Sequence, residues 1–231
     1  VLDLAEKAVD IPGIKICALM GYEAQIASLN DSLPGQGIKN RLLRTFKHWS
    51  VRELSGRRAK MIERLKTLGI YLDVVNGGGS GSLKSTGQDK SVTEVTAGSA
   101  FFAPGLFTHF HDVRFEPAAF FALQVARIPK SGMVTCQGGG YVGSGEVNAN
   151  RLPWPVMPPG LSFLPMEGAG EVQTPLILPE NCPELAPGDP VFFQHAKAGE
   201  LCERFNELHL VKDNQTAGAV PTYRGRGKAF L

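Results

Sequence analysis

Residues 76–82, "NGGGSGS", place four glycines and two serines directly after an apolar run, "GIYLDVV". Ordering glycine costs more backbone entropy than ordering any other residue, so this run is either a slack linker or a point of close backbone approach. Gly-rich turns that follow buried strands bind phosphate through backbone N–H groups. Gly78 and Gly79 have no Cβ to keep an anion away, and Ser80 and Ser82 add hydroxyl donors. The position after an apolar strand favours a phosphate-binding turn over a linker.

A second turn of small residues occurs in "EVTAGSAFF", residues 94–102. Gly98 and Ser99 interrupt a strand pattern there, and glycine in such a place marks either a β-bulge or a close backbone approach. Two such turns on neighbouring strands could bind one phosphate together. The first turn matches neither the GxxxxGK[ST] pattern nor a GxGxxG pattern that opens a long helix.

The elements around these turns follow a parallel α/β order. The runs "IKICALM" (14–20), "IYLDVVN" (70–76) and "SVTEVTAGSAFF" (91–102) predict three strands. Between the first two, residues 38–68 carry apolar side chains at helical spacing, which predicts one or two amphipathic helices ended by Gly69. Strand, helix, strand, glycine turn and strand is the order of a parallel sheet with crossover helices.

The pattern changes after about residue 112. Short strand-like runs such as "AFFALQVARIP", "GMVTCQGG" and "DPVFFQHA" alternate with segments rich in proline and glycine. This pattern predicts a mostly β domain with long loops. We therefore expect two domains, 1–112 with the glycine turns and 113–231 with the β structure.

Composition is that of an ordinary globular protein, with 43% apolar residues, 20% charged residues and a net charge of +2 over 231 residues. The near-neutral charge argues against a nucleic-acid partner, and the lack of a long apolar run argues against a membrane partner. Cys17, Cys136, Cys182 and Cys202 are scattered without CxxC spacing, which is typical of reduced thiols in the cytoplasm.

Four segments, in their order along the chain, resemble a known family. They are "GIKICALMGYEAQIA", "VVNGGGSGS", "VTEVTAGSAFF" and "PGDPVFFQHAKAGELCERFNELHLV". Together they resemble the fold-type III pyridoxal-phosphate enzymes of the D-serine dehydratase and D-threonine aldolase group. The resemblance implies an α/β plus β fold, the C-terminal part of an alanine-racemase-like (β/α)8 barrel followed by a mostly β domain. It covers nearly the whole chain but only the C-terminal part of the family's length.

The resemblance also implies where the cofactor, pyridoxal 5′-phosphate, would bind. The residues that match the family's cofactor contacts are Tyr22, Gly78, Gly79, Ser80, Gly98 and Ser99. A plain alternative for Tyr22 is a strand-end residue with a solvated hydroxyl. In the family the Schiff-base lysine lies on the first barrel strand, and no segment here resembles that strand. The expectation is therefore a chain that begins inside a longer protein, lacks that lysine and is inactive by itself.

A metal site is implied by the segment "FFQHAKAGELC". The family has His-x-Cys or His-x-Asp here, so His195 matches the first ligand, whereas Lys197 stands at the second position. An ammonium group has no lone pair for zinc and would repel it. A zinc site and a metal-free site both stay open. Other potential ligands, none at the family's spacing, are Glu200, Cys202, His109 and His111.

For activity, the resemblance implies a lyase acting on small D-amino acids. Elimination of water from a substrate such as D-serine, giving a keto acid and ammonia, is the first expectation. D-threonine aldolase activity, amino acid racemisation and a non-catalytic cofactor- or phosphate-binding module are the alternatives. A sugar-phosphate isomerase-like barrel would suit the glycine turn but not the β-rich second half. By analogy with the family, we expect a homodimer.

Overall fold

The computed structural model describes residues 1–27, 29–145 and 149–230. These residues form two compact units, one of residues 1–101 and 107–115, the other of residues 102–106 and 116–231. Compactness alone does not define a domain, so the predicted division at residue 112 stays a prediction.

The first unit is a three-stranded parallel sheet with helices. Its elements are α1 (Leu2–Val9), β1 (Ala18–Gly21), α2 (Gly37–Thr67), β2 (Val74–Gly77), α3 (Leu83–Gly87) and β3 (Glu94–Val95). The sheet has the order β1-β2-β3, and both pairs of neighbours are parallel. The three predicted strands and their order are confirmed, although only the C-terminal part of the first two predicted runs and the middle of the third join the ladder.

The helix α2 is a single helix of 31 residues, and Gly69 ends it in the left-handed conformation (φ +74°), as predicted. Its C-terminal end buries Leu65 against Ala5 and Ile70. Its N-terminal half does not bury an apolar face. The exposed apolar side chains of that half are Ile38, Leu42, Phe46 and Trp49.

Polar residues take the buried positions in the same half of α2. Asn40 is buried, and its side chain accepts the Leu33 N–H (3.1 Å) and donates to the Leu33 carbonyl (2.7 Å). The predicted amphipathic character of residues 38–68 is therefore wrong for this half, where Asn40 is buried through hydrogen bonds to the preceding loop. No helix in the described ranges is both long and apolar enough to cross a membrane.

The second unit is mostly antiparallel β structure, as the sequence predicted. Its elements are β4 (Phe120–Lys130), β5 (Met133–Gln137), β6 (Trp154–Met157), β7 (Ser162–Phe163), β8 (Gln173–Ile177), β9 (Pro190–Gln194), α4 (Ala198–Arg204), β10 (Glu207–Lys212) and β11 (Gln215–Pro221). Six strands form one sheet in the order β6-β9-β4-β5-β8-β7, and β10 and β11 form a hairpin.

The core of this unit follows the two-residue period of its strands. Phe121, Leu123 and Val125 alternate along β4 and are buried, whereas the residues between them are exposed. Phe121 stacks on Phe193 of the neighbouring β9, with ring centroids 5.2 Å apart. The alternation turns one face of β4 toward the core and the other toward solvent.

A second glycine cluster, residues 138–140, serves packing within this unit. Gly139 has φ +116°, and a Cβ there would lie 2.4 Å from Oγ1 of Thr174. A Cβ at Gly140 would lie 2.9 Å from the Glu171 backbone nitrogen. The glycines therefore let the chain after β5 pass close to the chain that leads into β8.

Candidate phosphate-binding site

The predicted phosphate-binding turns lie side by side at the carboxyl edge of the parallel sheet. The register pairs Gly21 with Gly77 and Gly77 with Val95. The residues that follow each strand, beginning at Tyr22, Gly78 and Thr96, are therefore neighbours. Ligands of open α/β sheets bind beyond this edge.

A pair of serine hydroxyls joins the two turns. Oγ of Ser80 lies 2.9 Å from Oγ of Ser99, and the Ala100 N–H donates to Ser80 Oγ at 3.0 Å. Ser80 is only 7% exposed, so these contacts fix its position. Residues 19 positions apart in the sequence thus form one local structure.

This structure carries unused hydrogen-bond donors. Within the described residues, the backbone N–H groups of Ser80, Gly98 and Ser99 donate to no acceptor. A Cβ on Gly98 would meet no atom within 4 Å, so the space beside that turn is open. Backbone N–H groups without an acceptor, beside serine hydroxyls, are donors of the kind that phosphate sites use.

Gly78 and Gly79 play a different part from the one that the sequence suggested. The Gly78 N–H donates to Oε2 of Glu23 (2.9 Å), and the Gly79 N–H donates to Oγ of Ser82 (3.1 Å). Gly78 has φ +86°, and a Cβ on Gly79 would lie 2.6 Å from Cε2 of Tyr22. These two glycines shape the turn and admit the Tyr22 ring, while their N–H groups are engaged inside the protein.

Glu23 is the residue that sequence reasoning missed. It is 3% exposed, and its carboxylate accepts hydrogen bonds from Arg58 Nη2 (2.7 Å), Thr86 Oγ1 (3.1 Å), Ser82 Oγ (3.2 Å) and the Gly78 N–H (2.9 Å). A buried charge is tolerated only when it is paired and hydrogen-bonded, and Glu23 meets both conditions. The one available signal was its place directly after Tyr22 at a strand end.

Arg58 connects this carboxylate to α2 and to a second acid. Its guanidinium also donates to Asp89, and both side chains are largely buried. Burial by itself would raise the pKa of Asp89, but hydrogen bonds from Ser91, Ser55 and Arg58 outweigh burial and hold the pKa below its ordinary value. The pair Glu23–Arg58 spans 35 residues and fixes α2 against the glycine turn.

His195, the predicted metal ligand, belongs to the second unit and follows β9. It is 2% exposed, and its Nδ1 lies 3.0 Å from the Ala119 carbonyl oxygen. Donation from Nδ1–H to that carbonyl leaves the lone pair on Nε2, and Nε2 is buried without a partner in the described part of the chain. Burial lowers the pKa of His195, although the Ala119 carbonyl opposes this shift. A neutral imidazole with a fixed tautomer is the form that ligates metals.

The surroundings of Lys197 do not complete a metal site. Lys197 Nζ donates to Ser144 Oγ (2.7 Å), and the Ser144 N–H donates to Oε1 of Glu200 (2.8 Å). Burial would raise the pKa of Glu200, but the Ser144 hydrogen bonds and the Lys197 charge outweigh it and lower the pKa. Residues 1–27, 29–145 and 149–230 contain no group of three or more His, Cys, Asp or Glu side chains placed to hold a metal ion. The described residues therefore do not supply a complete set of zinc ligands around His195.

Comparison with known proteins places the chain by its fold. No protein-family model matches the sequence, and no curated protein matches it. Solved structures do match. A D-threonine aldolase from Filomicrobium marinum has a TM-score of 0.77 and 18% identity, over 97% of this chain and 58% of that one.

Two further structures have the same fold. A D-threo-3-hydroxyaspartate dehydratase from Delftia sp. HT23 has a TM-score of 0.62 and 14% identity, over 91% of this chain and 56% of that one. An alanine racemase-like protein from Idiomarina loihiensis has a TM-score of 0.61 and 12% identity, over 89% and 55%. The chain thus spans little more than half the length of each. The predicted resemblance is confirmed at the level of fold: this chain has the fold of the C-terminal part of the D-threonine aldolase and alanine racemase-like structures.

Proposed function

We propose that this chain binds pyridoxal 5′-phosphate at the two turns, with the phosphate held by Ser80, Gly98 and Ser99. The observation that carries the proposal is the Ser80–Ser99 contact, which joins two turns with free N–H groups at the carboxyl edge of a parallel sheet. The fold supports it, since its solved neighbours include amino-acid lyases and a racemase-like protein. When bound, the cofactor supplies an electron sink for a bond broken at the Cα atom of an amino acid.

Other residues of the turn prepare the site rather than bind the phosphate. Gly78 and Gly79 set the path of the backbone, and Glu23 fixes that path through the Gly78 N–H. Tyr22 lies against Gly79 with its side chain half exposed, so its ring can flank the cofactor. This arrangement keeps the N–H groups of the turn oriented before a ligand arrives, which lowers the cost of binding.

We propose that the complete protein is a lyase acting on D-amino acids that carry a β-hydroxyl group. Two of the matched structures are named for such substrates, D-threonine and D-threo-3-hydroxyaspartate. Elimination of water to give a keto acid and ammonia is the first candidate reaction, and aldol cleavage is the second. Racemisation needs only proton transfer at Cα, and it is the third.

Metal has no assigned step in this proposal. His195 stays a predicted ligand because of its buried, unpartnered Nε2. Lys197, bonded to Ser144, occupies the sequence position of the family's second ligand.

We also propose that the cofactor-binding lysine is not supplied by this chain, because no segment of it resembles the family's lysine-bearing strand. The chain alone would then bind the cofactor without turning substrate over. A homodimer in the cytoplasm completes the proposal by analogy with the family. Light scattering on the purified protein tests the dimer.

The test of the reaction uses the product of the complete reading frame, loaded with pyridoxal phosphate. D-serine, D-threonine and their L-enantiomers are supplied in turn, and keto acid, ammonia, glycine and enantiomer ratio are measured. Keto acid and ammonia from the D-enantiomers alone support a dehydratase; glycine with aldehyde supports an aldolase. Cofactor binding without any product supports the non-catalytic module and contradicts the lyase proposal.

A further inference from the structure

A cavity of about 470 Å³ lies within the first unit, beside α2. Its walls come from the N-terminal half of α2, from residues 81–89, which include the last two residues of the glycine turn, and from residues 110–113. Ser80, Gly98 and Ser99 do not line it. Its volume is that of a small-molecule site.

The acidic side chains of the cavity are already neutralised. Asp31 is 1% exposed and accepts the Lys47 ammonium (3.2 Å) and the His111 N–H (2.9 Å). Asp89 is bound by Arg58, as described above. Asp112, the third acid, faces Lys84 at 3.9 Å.

Two basic side chains of the cavity are not paired with any of these three acids. Arg44 and Arg52 line it, and neither forms an ion pair with a carboxylate in the part of the chain that the structure describes. They lie eight residues apart on α2, so about 12 Å separates them along the helix axis, with His48 midway. Lys47 adds a desolvated ammonium next to the Phe110 ring, 4.2 Å from its centroid.

We propose that this cavity binds an organic anion that carries phosphate groups, at a site that does not include Ser80, Gly98 or Ser99. Guanidinium groups pair with phosphate through parallel hydrogen bonds, and two of them without a carboxylate leave an excess of positive charge in the cavity. Val51 and Phe110 provide an apolar surface for the organic part of the ligand.

The test is calorimetric titration of the chain with pyrophosphate, the simplest anion of this class. We expect saturable binding that weakens about 10-fold or more in the Arg44→Gln/Arg52→Gln variant, because each charged hydrogen bond contributes appreciably. The matched control is Arg41→Gln/Arg64→Gln, which removes the same charge from exposed positions of α2 outside the cavity. This control should bind as the unchanged chain does.

A second readout locates the ligand. In proton NMR, the ring signals of His48, identified by their loss in His48→Gln, should shift during the titration. Equal binding in both double variants, or no binding by the unchanged chain, would overturn the proposal.

A further variant separates this site from the proposed cofactor site. Ser80→Ala/Ser99→Ala should leave pyrophosphate binding unchanged while it weakens cofactor binding. Loss of pyrophosphate binding in that variant alone would place the anion at the glycine turns and refute the cavity site.

Discussion

Among single residues, Glu23 has the largest structural role in the candidate site. Each of its two carboxylate oxygens accepts two hydrogen bonds, among them those from the Gly78 N–H and the Ser82 hydroxyl of the glycine turn. The glycines and serines around it could be predicted from the sequence to form a phosphate-binding turn, because they are clustered after an apolar strand. The sequence could not predict Glu23 and Arg58, because an ion pair across 35 residues leaves no local pattern.

Glu23→Gln should lower the free energy of unfolding by about 3 kcal/mol, since it removes a buried charge that pairs with Arg58 and leaves an amide NH2 facing hydrogen-bond donors of the turn. The measurement is urea unfolding. Glu53→Gln is the control, because Glu53 pairs with Arg57 of the same helix at the surface. An exposed pair contributes under about 1 kcal/mol, so equal losses in the two variants would contradict the role given to Glu23.

His195 should make stability depend on pH. Burial lowers its pKa in the folded protein, so the unfolded chain, with a pKa of about 6.5, binds the proton more readily. The free energy of unfolding should therefore fall as the pH drops below about 6.5, and this contribution is fully present only above that value.

The comparison variant is His195→Gln, whose stability should change less between about pH 7.5 and pH 5.5. His209→Gln is the control, because His209 is exposed. Identical pH profiles for the chain and for His195→Gln would show that His195 does not carry this dependence.

At the scale of elements, the sequence located the parallel strands better than it described α2. Apolar runs that end in glycine mark the strands directly. In α2, helical spacing indicated an apolar face but could not show which face is buried. Asn40 is buried there by hydrogen bonds to Leu33, while Trp49 remains 60% exposed. Such an exchange of polar and apolar positions is decided by tertiary contacts.

The glycines around β5 allow a test at this scale. Gly139→Ala should lower the free energy of unfolding by about 3 kcal/mol or more, because a Cβ would meet Thr174 Oγ1 at 2.4 Å and Leu123 Cδ1 at 2.9 Å. Gly132→Ala is the control; Gly132 also has positive φ (+75°), but a Cβ there meets nothing within 4 Å. Gly132→Ala should lower the free energy of unfolding by about 1–2 kcal/mol, which is the effect of backbone strain alone. Thermal or urea unfolding gives both values, and a cost for Gly139→Ala no greater than that for Gly132→Ala would contradict the close approach.

For the molecule as a whole, the fold was predictable and the reaction was not. The order of four motifs pointed to the fold, which matched structures confirm over 97% of the chain at 18% identity. Reaction type depends on individual groups, and two groups that the resemblance implies are not assigned in this chain. They are the second metal ligand, at whose position Lys197 stands, and the cofactor-binding lysine. The order of motifs therefore predicts where a cofactor would bind without predicting what it would do.

The central claim is that the two turns bind the phosphate of the cofactor, and the direct measurement is binding of pyridoxine 5′-phosphate to this chain. This compound has no aldehyde, so it cannot react with surface lysines, and calorimetry reports its non-covalent binding alone. We expect saturable binding that Ser80→Ala/Ser99→Ala weakens about 10-fold or more, whereas exposed Ser131→Ala leaves it unchanged. Pyridoxine without phosphate should bind far more weakly. Equal affinity for both compounds, or an affinity that the double variant does not change, would contradict the account.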